Sequence, residues 1–71
     1  MSFTRIRDLR EDLYLTQKEI GEFLKLSRRT YAHYESGTRN IPLDVLIDMA
    51  DFHNVSIDYL LGRTDNKKVN R

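Results

Sequence analysis

The chain has 71 residues and no cysteine, with 39% hydrophobic and 32% charged side chains and a formal net charge of +1. That length holds one small core and no separate second domain, the missing cysteines exclude a disulfide framework or a thiolate zinc site, and no apolar run approaches the ~20 residues of a membrane span. The near-neutral total argues at first against a nucleic-acid binder, because such domains are ordinarily basic.

The charge is unevenly placed. Residues 28–40 hold Arg28, Arg29 and Arg39 against Glu35, residues 41–62 hold four aspartates and no lysine or arginine, and residues 63–71 hold four basic side chains against Asp65. A basic middle, an acidic segment and a basic tail are hidden in the sum.

In chain order, Phe3, Ile6, Leu9 and Leu13 recur three or four apart among charged residues, which predicts a first helix over 3–13. Thr16 with Glu19 three residues on forms a capping box, so a second helix starts there, with Ile20, Phe23 and Leu24 as its apolar face. Gly21 sits on that helix at a cost of about 1 kcal/mol relative to alanine, which implies that another backbone packs against it. Ser27 is a second N-cap, and Gly37 a left-handed stop, for a third helix of Arg28 through Ser36.

Thr38 to Ile41 reads as a loop, and Pro42 suits the first turn of a fourth helix, whose inward stripe is Leu46, Met49, Ala50 and His53. Asn54 can stop it, Ser56 caps again, and Ile57, Leu60 and Leu61 make a short fifth helix ended by Gly62. The fold class is therefore all-α: a compact five-helix domain over residues 1–62. Residues 63–71, including Lys67, Lys68 and Arg71, follow as a basic, flexible tail. No export segment opens the chain, so a soluble, cytoplasmic protein is expected.

Two capped helices with a short turn between them are the parts of a helix-turn-helix, here formed by helices two and three. Tyr31 and Tyr34, three apart, should face the core, which leaves Arg28, Arg29, Thr30 and His33 outward. That set suits major-groove reading: arginine can donate two hydrogen bonds to guanine, and threonine offers a methyl and a hydroxyl. Around it, Gln17 at the start of helix two and Ser36, Thr38, Arg39 and Asn40 after helix three are candidate phosphate contacts. His53 reads as a core histidine rather than a ligand, since no second ligand stands at the needed spacing, and no metal or other cofactor is expected. The residues show no paired carboxylates, nucleophile with base, or glycine-rich phosphate loop, so an enzyme is not expected.

The runs Leu15 to Gly21, Ser27 to Arg39 and Ile57 to Gly62 resemble the phage-repressor-type helix-turn-helix domain, the lambda repressor, Cro and Xre-like family, over about residues 3–62. The resemblance implies base reading by Arg28, Arg29 and His33, phosphate holding by Gln17, Thr38 and Arg39, and a structural ion pair of Arg10 with Glu35. Lys25 stands where that family usually has glycine in the turn, His53 where a leucine or aromatic is usual, and Tyr31 in place of isoleucine or valine.

The expected function is a sequence-specific regulator of transcription that binds double-stranded DNA, most simply a repressor occupying a promoter. One such unit covers a half-site, and two recognition helices ~34 Å apart match successive major grooves, so a homodimer on a near-palindrome is expected. The acidic stretch disfavours phosphate, which makes Phe52, Val55, Ile57 and Tyr59 the expected dimer face. The alternative is an antitoxin-like or adaptor module that uses the acidic face for a protein partner.

Overall fold

The computed structural model describes residues 4–66, and Phe3, Lys67, Lys68 and Arg71 lie outside them. The described residues form five helices and no strand: α1 (Thr4–Asp12), α2 (Gln17–Phe23), α3 (Arg28–Ser36), α4 (Leu43–His53) and α5 (Ile57–Leu60).

Local chemistry sets most of these limits. The Thr16 hydroxyl accepts the Glu19 amide at 3.1 Å while the Glu19 carboxylate accepts the Thr16 amide at 2.9 Å, so both halves of the capping box form. Ser27 accepts the Thr30 amide at 3.1 Å, and Ser56 the Tyr59 amide at 3.0 Å. Gly37 ends α3 at φ 79°, and Asn54 ends α4 at φ 55°. Pro42 stands one residue earlier than expected: it is the N-cap of α4, with ψ 152°, rather than part of its first turn.

The core gathers Ile6 and Leu9 from α1, Ile20 and Leu24 from α2, Tyr31 and Tyr34 from α3, Met49 and Ala50 from α4, and Val55 and Leu60 from the last segment. Burying one large apolar side chain of this kind contributes about 1.5–3 kcal/mol, so all five helices are held by the same centre. The two tyrosines of α3 face inward as their spacing requires, Tyr31 without any exposed surface.

Three apolar positions depart from expectation. Leu13 lies beyond the end of α1, where Tyr14 turns the chain at φ 58°, and stays half exposed. Phe23 is 63% exposed, because α2 buries the side centred on Ile20, Gly21 and Leu24; its ring lies 5.3 Å from that of Phe52. Val55, expected on a dimer face, is buried instead. Its amide donates to the Ala50 carbonyl at 3.0 Å across the left-handed Asn54, a fold-back that carries the residue after the stop over the helix it ends.

Contacts continue past residue 62, where the sequence places the end of the domain. Arg5 on α1 donates to the carbonyls of Tyr59 at 3.2 Å and Thr64 at 2.6 Å, pairs with Asp65 at 2.7 Å, and lies 4.2 Å over the Tyr59 ring. Tyr59 is half-buried, with Arg5 over its ring.

Candidate nucleic-acid interface

The junction between α2 and α3 is built on one missing side chain. Leu26 donates its amide to the Gly21 carbonyl at 2.7 Å, and its own carbonyl oxygen would lie 2.8 Å from any Cβ on Gly21. Lys25 makes the bend at φ 60°, the left-handed region that glycine would adopt without steric cost. The turn therefore folds flat against α2 and fixes where α3 begins.

At the other end of α3, Glu35 accepts three hydrogen bonds from two side chains of two other elements. Arg10 donates from Nε to Oε2 at 2.7 Å and from Nη2 to Oε1 at 3.3 Å, Gln17 donates from Nε2 to Oε1 at 3.2 Å, and Arg10 also reaches the Leu15 carbonyl at 2.8 Å. Glu35 is buried and Arg10 largely so, which makes removal of one partner far costlier than at the surface. Burial is the largest influence on Glu35 and pushes its carboxyl up, but hydrogen bonds from Arg10, Tyr31 and Gln17 and the Arg10 charge together hold it below the ordinary carboxylate value. The hydrogen bond to Glu35 raises the guanidinium of Arg10 against the opposing effect of burial. Burial first, and the neighbouring carboxylate second, hold the Tyr31 phenol well above its usual range. An ion pair thus ties α1 and the start of α2 to the end of α3.

With both ends of α3 fixed and its tyrosines buried, Arg28 and Arg29 stand exposed at its N-terminus and Arg39 in the loop after it. No ion pair among the described residues holds any of the three. Thr30 is half-buried and accepts a 2.9 Å hydrogen bond from Ser27, so its hydroxyl belongs to the N-cap. His33 is half-buried beside the loop, with Nδ1 2.8 Å from the Thr38 hydroxyl. Ser36 and Asn40 are exposed. Gln17, expected to face phosphate, is half-buried and spends one amide hydrogen on Glu35.

A shallow cleft joins Gln17, Ala32 and Ser36 to Arg7, above the Arg10–Glu35 pair. Arg7 went unnoticed in the sequence. It is paired with Glu11 at 3.2 Å on the surface of α1, and its place one turn before Arg10 on the same helix was the signal available. Elsewhere, Ile47 of α4 is exposed beside Asp51, Ile57 and Asp58, and Leu43 is exposed at the start of the same helix. No described helix is long and apolar enough to cross a membrane.

The geometry agrees with the comparisons. A family model described as helix-turn-helix matches residues 6–60. The chain is 37% identical over 62 residues to the uncharacterized HTH-type transcriptional regulator YobD of Bacillus subtilis, covering 87% of this chain and 55% of that protein. It is 35% identical over 66 residues to the HTH-type transcriptional regulator ImmR of the same organism, covering 93% and 52%. It is 32% identical over 65 residues to the cryptic phage CTXphi transcriptional repressor RstR of Vibrio cholerae, covering 92% and 59%. The chain spans little more than half the length of these relatives, and the family match runs from within α1 to the last residue of α5. With α2 and α3 joined over Gly21 and the family's motifs in register from Ile6 to Leu60, the chain belongs to the helix-turn-helix family of the lambda-repressor, Xre-like type.

Proposed function

We propose that this chain is a sequence-specific regulator of transcription that binds double-stranded DNA, acting as a repressor by occupying a promoter. The observation that carries this reading is the exposure of Arg28 and Arg29, without an ion pair among the described residues, at the front of a helix whose back is locked by Tyr31, Tyr34 and Glu35. Arginines so placed can present their paired donors to guanine O6 and N7 in the major groove. Arg39 beyond the helix, with Asn40 and the Arg7–Gln17–Ser36 cleft, supplies contacts to the flanking phosphates. The names of the relatives, regulators of transcription and a phage repressor, support the same role.

The unit covers one half-site, and a two-fold pair of units on a near-palindrome completes the operator. Exposed Leu43 and Ile47, with half-buried Phe52, Ile57 and Tyr59, are the apolar groups of α4 and α5 offered for that pairing, while Val55 is buried. The protein acts in the cytoplasm and has no catalytic role. Selection of bound sequences from a randomised duplex pool with competitor DNA tests the reading, and the stoichiometry on the selected duplex tests the dimer. Enrichment of one half-palindrome per chain is expected. Failure to enrich any sequence would favour an interaction module docking proteins on the acidic α4–α5 side, where Leu43 is two-thirds exposed.

A further inference from the structure

The hydroxyls that follow α3 converge on one ring nitrogen of His33. Nδ1 of His33 and Oγ1 of Thr38 are 2.8 Å apart, Thr38 Oγ1 and Ser36 Oγ are 3.0 Å apart, and Ser36 Oγ donates to the His33 carbonyl at 3.2 Å. Three contacts in a row need three protons, and each hydroxyl supplies only one. Thr38 Oγ1 also lies 3.4 Å from the same carbonyl, so either hydroxyl can donate to it while the other donates across the Ser36–Thr38 contact. Both hydroxyl protons are then spent, and the contact between Thr38 and His33 is filled by Nδ1–H.

We propose that Ser36 and Thr38 fix His33 as the Nδ1–H tautomer, leaving Nε2 as a bare lone pair on the DNA-facing surface. No described residue takes Nε2 as a hydrogen-bond partner. A ring nitrogen in that state accepts hydrogen bonds and cannot donate one. In the major groove the available donors are the exocyclic amino groups of adenine and cytosine; guanine and phosphate offer only acceptors. His33 therefore selects an amino-bearing base and turns away from guanine, the base its arginine neighbours prefer. Thr38 becomes a positioning residue, its hydroxyl occupied by the imidazole rather than free for phosphate. The base partner rests on the DNA-reading function proposed above; the tautomer rests on the protein alone.

Two measurements test this. The first is the nitrogen-15 spectrum of the His33 ring in the free protein, recorded at about pH 8. The wild-type chain should show a protonated Nδ1. Thr38→Val removes the acceptor and should shift the ring toward Nε2–H, and Thr38→Ser should restore Nδ1–H. A wild-type ring protonated on Nε2, or one unchanged by Thr38→Val, would overturn the proposal.

The second is sequence selection with the same three chains. The wild type and Thr38→Ser should require adenine or cytosine at one position, and Thr38→Val should lose about fivefold or more of that preference, the smaller end of what a mismatched pair costs. A uniform loss at every position would overturn it by making Thr38 a phosphate contact. A wild-type chain that enriches no duplex would instead overturn the DNA reading itself, and the ring spectrum separates that failure from failure of the hydroxyl relay.

Discussion

A Cβ on Gly21 would lie 2.8 Å from the backbone carbonyl oxygen of Leu26, closer than side-chain carbons approach backbone oxygens. Alanine would gain about 1 kcal/mol of helix propensity at this position. It would also force apart a turn held by the 2.7 Å hydrogen bond from Leu26 to Gly21, and overpacking of this kind costs about 1–3 kcal/mol. Gly21→Ala should therefore lower stability in urea unfolding and weaken DNA binding with it. A variant more stable by the full propensity gain would show that the turn is free to move.

Tyr14 and Lys25 adopt left-handed backbone at φ 58° and 60°, and both side chains are exposed. For a residue with a Cβ that conformation costs about 1–2 kcal/mol, which glycine avoids. Part of that saving is lost because glycine is freer in the unfolded chain. Lys25→Gly and Tyr14→Gly should each raise the unfolding free energy by roughly 0.5–1 kcal/mol, seen as a higher urea midpoint with the slope of the transition unchanged. Lowered midpoints would mean that either side chain makes contacts that outweigh its strain.

The Arg10–Glu35 pair predicts an acid-sensitive fold. Glu35 titrates below the ordinary carboxylate value when folded, because hydrogen bonds from Arg10, Tyr31 and Gln17 and the Arg10 charge outweigh burial, the largest single influence. The unfolded chain then binds more protons below that ordinary value, about pH 4.3, so the pair's stabilisation is complete above it and is lost as pH falls through the lower folded value. Glu35→Gln should flatten that part of the stability curve. Arg10→Met strands a buried carboxylate and should cost about 3–5 kcal/mol. A loss below 1 kcal/mol would show that water reaches Glu35.

The start and stop signals were legible because each involves neighbours in sequence: Thr16 with Glu19, Ser27 with Thr30, Gly37 and Asn54 at helix ends. The inward pair Tyr31 and Tyr34 was legible from helical spacing. Leu13 and Phe23 were not, since their burial depends on where α1 stops and on which side of α2 the turn packs. Val55 needed the path of the chain after Asn54, which folds back rather than continuing outward. In the site, Arg28, Arg29 and Arg39 could be read from charge and position. The Arg10–Glu35 pair came only with the family resemblance. Gln17 as a second partner of Glu35, and Thr38 as the partner of His33, depend on the paths of two turns that composition does not describe.

His53 occupies the fourth helix with its ring edge-on to Phe52 at 5.0 Å. Burial lowers its pKa, so the folded protein favours the neutral ring. The unfolded chain takes up a proton near the ordinary value of about 6.5. Stability should therefore be highest above that value and fall as the solution is acidified through it, until the depressed folded value is reached. His53→Leu removes this dependence, and its thermal midpoint should change less than that of the wild type between about pH 7.5 and 5.5. Parallel curves for the two proteins would place the titration elsewhere.

Arg28, Arg29 and Arg39 are exposed cations of similar reach but are assigned different tasks, and salt separates them. A base contact discriminates at one position, by about 1–3 kcal/mol for a good bidentate pair. A phosphate contact adds affinity for every sequence and releases about one counterion. Arg28→Ala and Arg29→Ala should each relax the preference at one base pair of the selected operator. Arg39→Ala should weaken specific and random duplexes alike and reduce the slope of log affinity against log salt by about one. Binding isotherms on the selected duplex and on single-position variants, each at several salt concentrations, resolve the two patterns. An equal and uniform loss from all three substitutions would show that α3 meets DNA through its charge alone, and base reading by Arg28 and Arg29 would have to be abandoned.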